Sequence, residues 1–189
     1  LQTFLFFLLP LRLLIYLFFL KLCISFLQEF NSTTTGVDDY TNIFGRDFDV
    51  YKIIVTPTDN TTTGAFFSMR FLDSGGSVID QSEYAYSGME LKDFASFDQT
   101  QRETAGNKLK IGPAGNTNEL GGGTILYIYD PDDSSKYTHM ITHSMSNSNL
   151  GVRGFKGSGV HRSAEVITGI RLFQGSGNNA KNVRIYGVA

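Results

Sequence analysis

Ala65-Phe66-Phe67-Ser68-Met69-Arg70-Phe71-Leu72 is the stretch on which the fold reading turns. In an extended chain, successive side chains point to opposite faces, so Phe67, Met69 and Phe71 share one face and Phe66, Ser68 and Arg70 the other. One face is apolar enough to be core. Asp73-Ser74-Gly75-Gly76 follows as a turn and leads into short strands at Ser77 to Asp80 and Tyr84 to Ser87, a hairpin and meander. Upstream, Tyr51 to Thr56 is β-branched and stops at Pro57, and the polar loop Thr58 to Gly64 connects it to the deciding stretch.

Downstream, Glu90 to Gly106 carries charges and no sustained period, which predicts a long loop with at most one helical turn. Lys108 to Ile111 predicts a weak strand. Gly121-Gly122-Gly123 opens Thr124 to Tyr129, Thr-Ile-Leu-Tyr-Ile-Tyr, the strongest strand signal in the chain, which ends at Asp130-Pro131-Asp132-Asp133. Lys136 to His143, Val166 to Phe173 and Asn182 to Val188 complete a set of about nine strands. Within Val166 to Phe173 the period points Ile170 and Leu172 inward together and Arg171 outward. No amphipathic helix is predicted in this region. An all-β, two-sheet β-sandwich of jelly-roll type is the expected architecture.

The first thirty residues differ in kind. Leu1 to Phe30 hold 11 Leu and 7 Phe, with only Arg12, Lys21 and Glu29 charged. This predicts a hydrophobic, helical leader over residues 1–30, a linker over 31–46 and a sandwich domain over 47–189. Length permits the leader to span a membrane, since about 20 apolar helical residues suffice. Against a span, Arg12 and Lys21 interrupt the stretch and Pro10 disfavours an unbroken helix. No Ala-x-Ala-like cleavage site precedes residue 30, and Leu20-Lys21-Leu22 before Cys23 is unlike a lipoprotein signal. Signal anchor and non-native extension are the two readings of this leader.

The chain of 189 residues suits one core, and its formal net charge of -2 builds no field for a polyanion. No nucleic-acid partner is expected. One cysteine allows neither an intrachain disulfide nor a multi-thiolate zinc site. With 20 Gly, 16 Phe, 9 Tyr and no Trp, the composition suits short aromatic strands joined by glycine turns.

Candidate sites are sparse. His139 and His143 would share a helix face, but on a strand four residues span about 13 Å, too far for one ion. They read as surface or half-buried histidines, and no metal is expected. Asp130, Asp132 and Asp133 lack the spacing of a calcium loop and read as turn chemistry. Gly151, Gly154, Gly157 and Gly159 resemble a phosphate loop only by count, with no helix to follow, and read as a flexible loop. Within it, Arg153, Phe155 and Lys156, near His161 and Arg162, could stack on a sugar or touch a phosphate; Tyr84 and Tyr86 are further candidate sugar-stacking residues. Asn31-Ser32-Thr33 and Asn60-Thr61-Thr62 match glycan-acceptor sequons, although polar loops explain them. No nucleophile elbow or paired-acid context is present, so the expected protein is not an enzyme and needs no cofactor.

Three groups of residues carry a resemblance, covering about Asp47 to Ala189. They are Tyr51-Lys52-Ile53-Ile54-Val55; Met69 to Gly76 with Tyr84-Ala85-Tyr86; and Ile167 to Phe173 with Gly175-Ser176-Gly177-Asn178 and Val183 to Val188. Together they resemble β-sandwich virion proteins of tailed bacteriophages, the tail-fibre, head-fibre or decoration modules. Gly169 and Gly187 would permit close packing, and Tyr186 would cap the core. The chain departs from that pattern at Lys181-Asn182, where a glycine is expected before the last strand. The resemblance implies a non-enzymatic virion component whose partners are other virion proteins, copies of itself and a host surface glycan. The alternative is a membrane-anchored or extracellular carbohydrate-binding domain, with the leader as its anchor.

Overall fold

The computed structural model describes residues 24–33, 36–45, 47–60, 66–95, 98–113, 122–148, 151–174 and 179–189. Among them are twelve strands and no helix: β1 Ser25–Ser32, β2 Val37–Tyr40, β3 Val50–Asn60, β4 Phe66–Leu72, β5 Tyr84–Lys92, β6 Asp98–Gly106, β7 Leu109–Pro113, β8 Gly122–Tyr129, β9 Thr138–Ser148, β10 Gly151–His161, β11 Gly169–Gln174 and β12 Asn179–Val188. An eight-stranded sheet runs β1-β12-β3-β8-β9-β10-β5-β6, and a four-stranded sheet runs β2-β11-β4-β7. Every pairing is antiparallel.

Setting aside the hairpins β5–β6 and β9–β10 leaves β1-β12-β3-β8 facing β2-β11-β4-β7. Successive strands of that remainder cross between the sheets, except β4 and β7, which are neighbours in the small sheet, and the last strand pairs beside the first. That is jelly-roll winding. Both hairpins enlarge one sheet only.

The core collects one face of each strand. Phe67, Met69 and Phe71 of β4, Ile170 and Leu172 of β11, Leu126 and Ile128 of β8, and Val183 and Ile185 of β12 are all fully buried. The expected inward faces of β4 and β11 are therefore borne out. Arg171 lies opposite Asp39 in the β2–β11 register and holds both its carboxylate oxygens at 2.6 Å on the outside of the small sheet. Tyr51 packs edge-on to Phe44 at 4.8 Å, and its hydroxyl accepts from Gly45 N at 2.8 Å while donating to Gly45 O.

Several expectations are corrected. Among the described residues, strand structure starts at Ser25, in the stretch read as leader, and the linker expected over 31–46 contains the end of β1 and all of β2. β1 pairs with β12, and β2 pairs with β11. A four-residue strand such as Val-Asp-Asp-Tyr has too few positions to show a period. The helical reading of residues 1–23 lies outside the described residues. Glu90 to Gly106, expected as a loop, contains the end of β5 and all of β6. Ser77 to Asp80 is not a strand: Asp73 Oδ1 accepts from Gly75 N at 2.8 Å and Ser77 N at 2.9 Å, closing a turn, and a single bridge joins Leu72 to Val78.

The glycine-rich stretch read as a flexible loop is β10, an interior strand of the eight-stranded sheet. Its inward glycines make room for a ring. A Cβ at Gly88 would lie 2.3 Å from Phe155 Cζ, and one at Gly157 would lie 2.7 Å from Phe155 Cε1. Phe155 thus covers two glycines on adjacent strands, and the glycines mark packing rather than mobility.

Candidate contact surface on the eight-stranded sheet

Alternation puts Arg153, Phe155, Gly157, Gly159 and His161 on the inner face of β10 and Val152, Lys156 and Ser158 on the outer face. The expected basic-aromatic group is thereby split. Arg153 and Phe155 are buried. Arg153 Nε donates to Glu90 Oε1 at 2.6 Å, and Lys92 Nζ lies 3.3 Å from Glu90 Oε2. The Arg153 guanidinium also stands 5.2 Å from the Phe66 ring centroid. Arg153 is an internal ion-pair partner and is not offered to a ligand. Lys156 alone of the three reaches the outside.

Tyr84 is fully buried and Tyr86 half-buried. The Tyr84 hydroxyl accepts from Phe71 N and donates to Ile79 O, each at 3.0 Å. Burial pushes its ionisation above the usual tyrosine range, and Tyr86 is raised in the same direction by burial and then by Glu103. The Tyr84 ring is not a free sugar platform, whereas Tyr86, partly packed against the core, also lines an open groove on the sheet. Asp130 and Asp133 hold Lys136 Nζ at 2.9 and 3.2 Å, and Ser135 donates to Asp133. These contacts pull the Asp133 carboxyl down to about 2, the Ser135 bonds contributing most. His139 and His143 lie on strand β9 with outward, exposed side chains.

What the structure assembles instead is the outer face of the eight-stranded sheet. Strand registers place Lys52, Tyr127, Ile141, Ser158 and Ser87 in one row across β3, β8, β9, β10 and β5. The next row is Ile54, Ile125, His143, Lys156 and Met89. Beyond it lie Met145, Gly154 and Leu91, then Val152. Met145 is 62 % exposed, Val152 49 % and Ile141 45 %. Lys156 and His143 stand inside this apolar field. Sequence reading missed it because β8 is apolar on both faces and the outward side of β9, with Ile141 and Met145, is more apolar than its inward side of Thr138, Met140, Thr142, Ser144 and Ser146, so alternation alone does not say which is core.

At one end the face dips into an open groove of about 480 Å³ lined by residues that include Tyr129, His139, Ser87, Ser158 and Arg162. Arg162 Nη1 there donates to Thr104 O at 2.8 Å. A second polar cluster sits nearby, at the end of β10. His161 is wholly buried beside Tyr84, with ring centroids 5.0 Å apart, and edge-on to Phe71 at 5.9 Å. Its Nε2 lies 3.2 Å from Glu83 Oε2 and 3.6 Å from Glu165 Oε1. Glu83 and Glu165 come from loops far apart in sequence, so no spacing signals the cluster.

No protein family matches this sequence, and no curated protein matches it. Among solved structures, the chain has a faint likeness to the attachment invasion locus protein Ail of Yersinia pestis, at 9% identity, over 58% of this chain and 99% of that one, with a TM-score of 0.21. The CBM40 of the Ruminococcus gnavus IT-sialidase is matched at 11% identity over 84% of this chain and 91% of that one, with a TM-score of 0.26. The VP2 subviral particle of infectious bursal disease virus is matched at 11% identity over 88% and 36%, with a TM-score of 0.15. Likenesses this slight assign neither relatives nor function. Among the described residues, no helix is long and apolar enough to cross a membrane.

Proposed function

We propose that this chain is a non-enzymatic structural protein that works by assembly, packing the outer face of its eight-stranded sheet against a second copy of itself. The observation that carries the reading is the exposed apolar field on that face, centred on Ile125, Ile141 and Met145. Exposed apolar patches beyond a few hundred Å² mark contact surfaces. At about 4.8 Å between strands and 3.3 Å between residues, five strands of this face cover roughly 500 Å² in projection. Side-chain relief enlarges that, and two such faces clear the ~1,000 Å² expected of a specific interface. Self-packing of one patch across a two-fold axis is the commonest closed arrangement. The resemblance carried by the β3, β4, β11 and β12 segments supplies the setting: a fibre, tail-tip or decoration module of a tailed-phage virion.

Light scattering after size exclusion tests the assembly. The wild-type chain is expected to run as a dimer or larger. Ile141→Asp with Met145→Asp is expected to run as a monomer with an unchanged circular-dichroism spectrum. A monomeric wild-type chain, or a double variant that still assembles, overturns the reading.

The groove at Tyr129 and His139 favours a second reading, a carbohydrate-binding module in which Tyr129 stacks on a sugar and Ser87 and Ser158 bond its hydroxyls. A glycan array with wild type and Tyr129→Ala separates the two. Binding lost in that variant, from a chain that stays monomeric, favours the module.

A further inference from the structure

Glu83, His161 and Glu165 bring one imidazole nitrogen and two carboxylate oxygens within 4.8 Å of one another. A ring nitrogen carries at most one proton, so a hydrogen bond from Nε2 to Glu83 leaves Glu165, at 3.6 Å, beyond hydrogen-bond range and facing a like charge. Among the described residues, neither carboxylate pairs with a lysine or arginine. Arg162, next in sequence to His161, sends Nη1 to Thr104 O. Two acids therefore converge on one imidazole without a compensating fixed cation.

The geometry suits an ion. Donors on a tetrahedral zinc, bound at about 2.0–2.2 Å, stand roughly 3.3–3.5 Å apart. The two nitrogen-to-oxygen separations, 3.2 and 3.6 Å, bracket that spacing. The His161 ring is held by Tyr84 and Phe71, and the backbone beside it is pinned by Arg162 N donating to Glu83 O at 2.8 Å. The carboxylates are 40 % and 34 % exposed, free to close on an ion and to leave a side open to water. One imidazole with two carboxylates selects a borderline divalent cation over the all-oxygen shells of calcium and magnesium.

We propose that Glu83, His161 and Glu165 bind one zinc ion, which staples the connection before β5 to the segment between β10 and β11. The inference is independent of the assembly reading. Calorimetric titration of zinc into the EDTA-stripped full chain tests it, in a Cys23→Ser background so that the thiol does not compete. The expected result is binding at one ion per chain and a zinc-dependent rise in melting temperature. Calcium and magnesium should produce neither. Glu83→Gln and Glu165→Gln remove a ligand charge at part-exposed positions and should each weaken zinc by at least about tenfold. His161→Ala would open the core, so the two glutamine variants carry the test. Absence of one-to-one binding overturns the proposal. So does binding unchanged by either glutamine variant, or binding lost only in His143→Ala.

Discussion

A methyl group at residue 169 would lie 2.2 Å from the backbone oxygen of Tyr40, on the partner strand of β11. Backbone cannot move aside as a flexible side chain can, so Gly169→Ala is expected to cost about 1–3 kcal/mol as overpacking. Urea melts measure it. Two neighbours calibrate the same experiment: Leu172→Ala, fully buried, should cost about 2–5 kcal/mol, and Arg171→Ala, which loses a part-exposed pair with Asp39, about 1 kcal/mol or less. Equal effects at 171 and 172 would mean the strand faces are exchanged. Lys181, which stands where the resembled pattern has glycine, is fully buried and pairs with Asp38 of β2, tying the large sheet to the small one. Burial pulls its ionisation down, and Asp38 pulls it partly back. Asp38→Ala removes the carboxylate that faces this buried ammonium and should destabilise measurably, against a near-neutral Lys181→Met/Asp38→Leu pair.

Among the elements, β4, β11 and β12 were legible because their alternation is strong, and β8 because it is an unbroken run of strand-forming residues between turns. β6 was not, since Asp-Gln-Thr-Gln-Arg-Glu-Thr-Ala-Gly has no apolar side, as suits the sheet's outer edge. β10 was hidden for the opposite reason: its inward glycines read as loop, and the Phe155 ring that fills their space can be placed only once β5 lies alongside. The same pairing explains the site. Tyr84, Arg153 and Phe155 look like ligand-binding types in sequence, yet register turns them inward, while the outer face forms from residues contributed by five strands. β1 was concealed by the apolar leader around it. Its worth is measurable by comparing melts of a chain starting at Ile24 with one starting at Thr33. The shorter chain leaves the β12 edge unpaired and removes Phe30 from its edge-on contact with Tyr40 at 4.9 Å. It should melt several degrees lower, and identical melts would mean β1 adds nothing.

Across the whole molecule, Tyr40, Tyr51, Tyr84 and Tyr86 all have raised ionisation, chiefly through burial. The fold therefore favours their neutral form. An unfolded chain releases those protons near pH 10, so their contribution is intact below about pH 10 and is lost as pH rises beyond it. Lys181 acts in the other direction: the unfolded chain keeps its proton up to about pH 10.4, so between its lowered folded value and that point stability rises with pH. Four tyrosines outweigh one lysine above about pH 10. Urea midpoints should fall there, together with the appearance of tyrosinate absorbance; a midpoint that holds steady to about pH 11 would contradict the burial of these rings.

The place of β12 between β1 and β3 has a consequence in time. Residues 179–188 fill the gap between two strands that are synthesised long before them. Until they emerge from the ribosome, β1 and β3 have no shared neighbour, and the buried side of the nascent sheet lacks Val183 and Ile185. Folding of this chain therefore waits on its last-made strand and is dominated by pairings distant in sequence, the class that takes milliseconds to seconds. A nascent chain stalled before residue 179 should remain protease-sensitive however long it waits.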